Sequence, residues 1–234
     1  MSAYHNNDFN NWLQTTGMSF SAAVGNVLIG IWTKREDVDV TNDSVAFELS
    51  QSAAGDTFPL VRNIQQRGAR VAIVNNMGIT ENSQGAITTW LHRAIWIGPL
   101  DGTPNTPIVH YNNGANAGTS TITYDAGSVN FTTLRVFRRL GGVAASGWRG
   151  RLAEIAIYAN ITTGQRDTII AEMQTRHVGA LSITPNHAWR LLSDPTAAAG
   201  SANLAATGTI TYDENDHPPV DAAVAARRRL VWVG

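Results

Sequence analysis

Two glutamates, Glu48 and Glu154, come closest in this sequence to residues that could act as catalytic acids. Each lies alone in an apolar, strand-like stretch, VAFELS for the first and WRGRLAEIAIYA for the second. Glycoside hydrolysis needs a pair of carboxylates that flank the bond to be broken, which on a single strand requires a pattern such as Glu-x-Asp-x-x-Glu. The sequence carries no such pattern, so we predict a protein without enzymatic activity, in which Glu154 hydrogen-bonds a turn or caps the fold.

The segment DENDH, residues 213–217, is the densest cluster of oxygen ligands in the sequence. Calcium takes roughly six to eight oxygen atoms from several segments. Asp213 and Asp216 are the candidate calcium ligands, and Asp194 or the backbone of residues 100–105 would complete the shell. The alternative, a solvated turn with no metal, is the interpretation we favour. The six histidines are scattered without metal-ligand spacing, which argues against a structural metal site.

The segment YNNG predicts a surface loop that could contact a sugar. Tyr111 offers an aromatic face for stacking, while Asn112 and Asn113 offer amides for hydroxyl groups. Further aromatic residues in Ile87–Gly98 share one strand face with Ala94, as a core-facing stripe would: Trp90, His92 and Trp96. The loop residues are therefore the better candidates for a glycan site.

The last residues, RRRLVWVG, combine three positive charges with an apolar end. Such an end is a liability on a free monomer, so we expect it to dock, either onto its own domain or onto a partner by strand addition. The candidate docking residues are Arg227, Arg228, Arg229, Leu230 and Trp232.

Strand patterns dominate the chain and must position these residues. Short alternating or apolar segments are separated by turn clusters such as NNMG, DGTPN and DAGS, which predicts a sandwich or a barrel. The predicted strands are Val27–Thr33, Val45–Ser50, Phe58–Gln65, Arg70–Asn75, Ile87–Gly98, Thr119–Tyr124, Phe131–Phe137, Trp148–Ala159 and His187–Leu192.

One amphipathic helix interrupts the strands at about residues 163–178. Thr162 and Gln165 have capping-box spacing, and Gly179 is placed for a C-terminal stop, with His177 near the dipole. We expect this helix to cover a sheet edge or an open end of the sandwich. Its apolar face comprises Ile169, Ile170 and Met173.

Composition excludes several classes of protein. The 234 residues include no cysteine, which excludes disulfides and zinc-thiolate sites and fits assembly in a reducing cytoplasm. With 17 basic and 18 acidic residues, the chain lacks the basic surface of a nucleic-acid binder. The sequence has neither an apolar run long enough for a membrane span nor a signal-peptide pattern at its start.

The segment GWRGRLAEIAIYANITTGQRDTIIAEM, residues 147–173, resembles the C-terminal signature of concanavalin A-like domains of the laminin-G type. The matching residues are Gly150, Leu152, Glu154, Ile155, Ile157, Tyr158 and Asn160. Upstream, VLIGIWTKRED looks like the early strand of that family, while HAWRLL and TYDENDHPP resemble additions to such domains in tailed-phage structural proteins. Ala153 departs from the family pattern, which often has Asp there.

The resemblance implies an antiparallel two-sheet jelly-roll sandwich, all-β apart from one helix. We expect a single domain over residues 1–234, with arms at about 1–20 and 220–234. The expected function is that of a virion structural protein of a tailed bacteriophage, for decoration of the capsid or association with the tail. Its partners would be other virion proteins and copies of itself. The alternative is a carbohydrate-binding module for host surface glycans.

Overall fold

The computed structural model describes residues 3–6, 11–15, 18, 20–23, 25–35, 45–51, 60–64, 68–73, 76–80, 89–100, 105–122, 128–137, 148, 150–191, 197–200, 203–208, 211–213 and 218–219. These residues form two large antiparallel sheets, a separate pair of strands and one α-helix. The all-β sandwich predicted from the sequence is confirmed.

The first sheet has nine strands. Seven of them follow the order β11 (Ala115–Ile122), β10 (Thr106–Asn112), β9 (Leu91–Leu100), β4 (Gly25–Arg35), β14 (Gly150–Ala159), β1 (Ala3–Asn6) and β18 (Thr211–Asp213). The other two are β15 (His187–Trp189), which pairs with the second half of β14, and β16 (Ala197–Ala199), which pairs with β15.

The second sheet has seven strands in the order β17 (Ala205–Thr207), β2 (Trp12–Gln14), β13 (Thr133–Val136), β5 (Val45–Ser50), β6 (Leu60–Ile64), β7 (Gly68–Ile73) and β8 (Asn76–Thr80). The separate pair consists of β3 (Phe20–Ala23) and β12 (Ser128–Phe131).

The main core lies between the two large sheets and follows from strand alternation. On β4, Val27, Ile29 and Ile31 point inward, while Phe47 and Leu49 meet them from β5 of the second sheet. All five are buried. Each large apolar side chain buried in this way stabilises the fold by roughly 1.5–3 kcal/mol.

The helix α1 (Thr163–Met173) begins with the predicted capping box. The Thr162 hydroxyl accepts the backbone N–H of Gln165, and the side-chain oxygen of Gln165 accepts the backbone N–H of Thr162. Its buried residues are the three predicted from the sequence: Ile169, Ile170 and Met173. They pack on the outer face of the first sheet against Leu28 and Trp96. The expectation that the helix covers a sheet edge or an open end was wrong, because the outer faces of β4, β9 and β14 are themselves apolar.

The helix also ends earlier than predicted, at Met173 instead of about residue 178. The carboxylate of Glu154 on β14 accepts the backbone N–H of Val178 at 2.9 Å, so this N–H is not available to extend the helix. Val178–Ala180 form a short 3-10 helix instead. Gly179 lies within it and does not terminate α1.

Segments from the two ends of the sequence run side by side through both sheets. In the first sheet β1 pairs with β18, and in the second sheet β2 pairs with β17. Gly208, just beyond β17, has a φ of 77°, and a Cβ there would collide with the side chain of Asn11. Much of the arm expected at residues 1–20 is therefore placed within the sandwich, whereas residues 220–234 lie outside the described part.

Candidate functional site

Tyr111, Asn112 and Asn113 do not form the loop that the sequence predicted. The first two are the last residues of β10, and Asn113 and Gly114 form a two-residue turn into β11. Both turn residues have positive φ, 45° and 79°, as a tight hairpin turn of this kind requires. The physical reason for the error is that Asn-Gly between alternating segments favours a hairpin, and the strand on its N-terminal side was not recognised.

Asn113 has a structural role at this turn. Its side-chain oxygen accepts the backbone N–H of His92 at 3.0 Å, and its own N–H donates to the His92 carbonyl at 2.9 Å. These bonds tie the tip of the hairpin to the start of β9. Asn113 thus anchors the hairpin through its backbone and its side-chain oxygen. The residue is otherwise exposed, and its role as a glycan ligand stays a prediction.

Asn112 lies on the opposite face of β10 from Tyr111. Strand alternation places it with Ile108 and His110 on the face turned toward the second sheet. Both amide atoms of Asn112 and both ring nitrogens of His110 are buried and have no hydrogen-bond partner among the described residues. Asn112 and Tyr111 therefore do not lie on one face of the strand, and the role of Asn112 as a glycan ligand stays a prediction.

The pKa of His110 reflects this interior position. Burial, and to a lesser extent the positive charge of Arg93, lower the pKa of His110 from 6.5 to about 3. Arg93 is itself buried, donates to the Thr33 hydroxyl at 3.1 Å and lies 5.7 Å from the ring centre of Trp148. The inner face of the first sheet thus carries a polar cluster at the end nearest the hairpin turn.

Tyr111 faces the other way, toward α1, and lines an open groove of about 170 Å³ between the helix and the β10–β11 hairpin. The hairpin side of the groove is Tyr111 and Gly114. The helix side is a single stripe of residues spaced three and four apart, Asp167, Ile170, Ala171 and Gln174.

The groove exists because small residues face each other across it. A Cβ at Gly114 would lie 2.6 Å from Nε2 of Gln174, so the hairpin tip approaches the helix as closely as a residue without a side chain allows. Ala171 is exposed on the helix, and its single methyl group leaves the space beside the hairpin open. A larger side chain at either position would narrow the groove.

Arg166 fixes the aromatic wall of the groove. Its guanidinium carbon lies 5.3 Å from the ring centre of Trp96 and 5.7 Å from that of Tyr111, which is within the range of cation–π attraction. Its Nε also donates to Oδ1 of Asp167 at 2.8 Å. Burial raises the pKa of Tyr111 above 10, an effect that the charge of Arg166 opposes and that of Asp167 reinforces.

Glu154 secures the far end of the helix layer. It sits at an irregularity in the pairing of β14 with β4 and has a φ of 51°, a strained value for a residue with a side chain. Its carboxylate accepts the N–H of Val178 and lies 2.7 Å from Nδ1 of His177. The prediction that Glu154 hydrogen-bonds a turn is confirmed.

His92 lies beneath the same helix layer. Its ring is 5.4 Å from that of Trp32, and the indole N–H of Trp32 donates to the Met173 carbonyl at 2.9 Å. Neither ring nitrogen of His92 has a hydrogen-bond partner within the described part of the chain. Burial lowers the pKa of His92 from 6.5 to about 3. Of the predicted core-facing stripe, His92, Ala94 and Trp96 are buried, whereas Trp90 precedes β9 and is only half-buried.

Glu48 is fully buried on β5, where strand register places Arg135 on one side of it and Arg62 on the other. It belongs to the second sheet, whereas Glu154 belongs to the first. The structure therefore does not bring these two carboxylates together on one strand.

The metal and docking predictions fall largely outside the described residues. Asp216 and the docking residues Arg227, Arg228, Arg229, Leu230 and Trp232 lie outside them, and for Asp213 only the backbone in β18 is described. No group of three or more potential metal ligands occurs among the residues that the structure describes. No helix in that part of the chain is long and apolar enough to cross a membrane.

Sequence reasoning missed the helix side of the groove. Asp167, Ala171 and Gln174 have the spacing of one helical face, which was visible in the sequence. What the sequence could not reveal is that α1 lies on the outer face of the first sheet, beside the hairpin that carries Tyr111.

Comparison with solved structures assigns the fold. The chain superposes on a heptameric SAP-like pentraxin from Limulus polyphemus with a TM-score of 0.55 over 90% of this chain and 94% of that one, at 12% sequence identity. The fold is a concanavalin A-like jelly roll. This sandwich thus has the architecture that residues 147–173 predicted.

Other similarities are more remote. The concanavalin A-like sandwich matches domain 4 of the arabinanase AbnA from Geobacillus stearothermophilus with a TM-score of 0.40 and 14% identity, over 64% of this chain and 68% of that one. It matches the enzymatically active domain of bacteriophage CBA120 tailspike protein 2 with a TM-score of 0.34 and 11% identity, over 65% and 25%. No family model and no curated protein sequence matches this chain.

Proposed function

We propose that this protein is a non-enzymatic structural component of a tailed-bacteriophage virion, which acts through contacts between its surface and other proteins. The surroundings of Glu48 and Glu154 support a role without catalysis. Glu154 is buried, and its carboxylate accepts the Val178 N–H and contacts the His177 ring. Glu48 is buried between two strands that carry arginines. An assay for sugar reducing ends is expected to detect no product; release that disappears in Glu154→Gln would overturn this part of the proposal.

Composition supports the virion setting. The chain has no cysteine and only 15% charged residues, against roughly 25% in typical soluble domains. Such a chain can be made in a host cytoplasm without disulfides and can form long-lived polar contacts. A stable contact would bury roughly 800 Å² on each partner. The pentraxin of the same fold is a heptamer, so copies of this chain are partners to test alongside other virion proteins.

The decisive experiment follows the protein into particles. Phage particles are purified from a strain that carries the full chain or a chain lacking residues 222–234, and the protein is quantified by mass spectrometry. We expect the full chain in particles and loss of the shortened one, because the arginines and the apolar end are the proposed docking segment. A matched variant with the three arginines changed to alanine separates charge from apolar contact. Full occupancy by the shortened chain would rule out this segment as the docking site.

A second candidate function is recognition of host surface glycans by a carbohydrate-binding module. The groove beside Tyr111 favours it, since that groove combines an aromatic wall with a carboxylate and an amide on an accessible surface. The two functions can coexist on one virion protein. A glycan array probed with the purified chain tests this candidate: absence of binding, together with recovery in particles, would leave the structural role alone.

A further inference from the structure

We propose that the groove between α1 and the β10–β11 hairpin binds one uncharged hexose residue of a glycan. This inference rests on the carbohydrate-binding candidate and assigns it a site and a ligand class. Of the predicted trio, it retains Tyr111 alone, and it adds Asp167, Ala171 and Gln174.

The size of the groove limits the ligand. Its volume of about 170 Å³ is below the roughly 300–1,000 Å³ of sites that enclose drug-sized molecules. It can hold a single six-membered ring, while the rest of a glycan would continue into solvent through the open side. Ile170 and Ala171 supply an apolar floor, and Tyr111 supplies an aromatic wall. Ile170 and Tyr111 are only 4% and 9% exposed, so the C–H face of a sugar ring would lie against the narrow apolar strip that they leave open beside Ala171.

Three polar groups along the groove retain hydrogen-bonding capacity. The amide nitrogen of Gln174 donates to the Ile170 carbonyl at 3.1 Å, which leaves its side-chain oxygen as an acceptor. The hydrogen bond from Arg166 goes to Oδ1 of Asp167, which leaves Oδ2 as a second acceptor. The Tyr111 hydroxyl forms no hydrogen bond to another described residue and can both donate and accept.

The balance of these groups selects an uncharged sugar. Two of the three are acceptors, so the ligand must offer several donors, and the hydroxyl groups of a hexose do so. A uronic acid would instead bring a carboxylate toward Asp167, which is exposed. The positive charge of Arg166 does not offset this repulsion, because it already pairs with Asp167 and lies over the rings of Trp96 and Tyr111.

The test uses the full chain labelled with ¹⁵N, titrated with galactose, glucose and mannose, and with galacturonate as the anionic control. The backbone amides of Gly114 and Ala171 report binding in the groove by their chemical shifts. We expect at least one neutral hexose to shift both signals in a saturable way, and galacturonate to bind at least tenfold more weakly. A failure of all three neutral sugars to shift these signals overturns the proposal, as does binding of galacturonate that is as tight as theirs.

Three variants locate the site. Ala171→Leu fills the groove at an exposed helix position and is expected to weaken binding at least tenfold. Thr168→Leu adds a similar side chain at another exposed helix position that does not line the groove, and should leave binding unchanged. Asp167→Asn preserves shape and removes the negative charge, so it should reduce the discrimination against galacturonate. It also provides a test if Ala171→Leu does not fold.

The outcomes separate this site from the function on which it depends. If the chain binds glycans on an array and Ala171→Leu binds them equally well, the carbohydrate-binding function stands and the groove is the wrong site. If the array shows no binding at all, the carbohydrate-binding function fails together with the groove.

Discussion

Two of the four histidines that are buried in the described part of the chain, His92 and His110, should make the stability of this protein strongly dependent on pH. His92 lies under α1 and His110 lies inside the sandwich, and burial lowers the pKa of each to about 3. In the unfolded chain both should titrate near 6.5. Below pH 6.5 the unfolded chain therefore binds more protons than the folded protein, so the free energy of unfolding decreases as the pH falls toward 3.

The size of the effect follows from the two pKa values of each histidine. Because the folded protein takes up almost no proton at these sites above pH 5, lowering the pH from 7 to 5 should cost about 2 kcal/mol for each histidine and about 4 kcal/mol for both. This is a large part of the roughly 5–15 kcal/mol that stabilises a typical domain. Acid unfolding should begin well above pH 3.

Urea unfolding followed by tryptophan fluorescence at pH 7, 6 and 5 measures this dependence. The variants are His92→Leu, His110→Gln and the double variant, each compared with the wild type at every pH. Other titrating groups are common to all four proteins and cancel in the comparison. Each single variant should remove about half of the expected difference between pH 7 and pH 5. If wild type and double variant lost stability in parallel over this range, the assignment of neutral buried histidines would be refuted.

Three further predictions concern the helix layer and the core, and each is measured by urea unfolding or by solubility. Glu154→Ala should cost about 1–3 kcal/mol because it leaves the buried Val178 N–H without its acceptor; a loss below 0.5 kcal/mol, roughly the smallest value for a hydrogen bond, would contradict the anchoring role. Thr162→Ala should cost about 1 kcal/mol through loss of the helix cap, and an unchanged midpoint would contradict that estimate. Ile157→Asp places a charge in the core and should yield insoluble protein; a soluble, folded product would count against the assigned register.

Local sequence patterns were sufficient to predict the long central strands and the start of the helix. Val45–Ser50 is a strand with the predicted bounds, and the capping box at Thr162 is present. These features depend on neighbours within a few residues, such as alternation along a strand or a side chain three positions away. For the same reason the buried face of α1 was correct.

Features that depend on distant partners were not predicted. The strands β1, β2, β16 and β17 have three or four residues each, too few for a clear alternation pattern, and exist because a neighbouring strand supplies hydrogen bonds. The end of α1 was placed too late because the residues that follow it bind side chains from distant strands: Trp32 donates to the Met173 carbonyl, and Glu154 accepts the Val178 N–H. The groove was missed because it lies between Tyr111 and α1. The place where α1 packs on the sheet depends on tertiary contacts, which a local sequence pattern does not reveal.

The pairing of β1 with β18 and of β2 with β17 has a consequence for synthesis. Tyr4 meets Tyr212, and Leu13 meets Ala206, so the early strands find these partners only after synthesis has passed β17 and β18. Contacts between such distant segments slow folding. Until the late strands arrive, β1 and β2 each have one open hydrogen-bonding side to which another nascent chain could bind. A chain truncated before β17 should therefore aggregate during translation even though its central strands are intact.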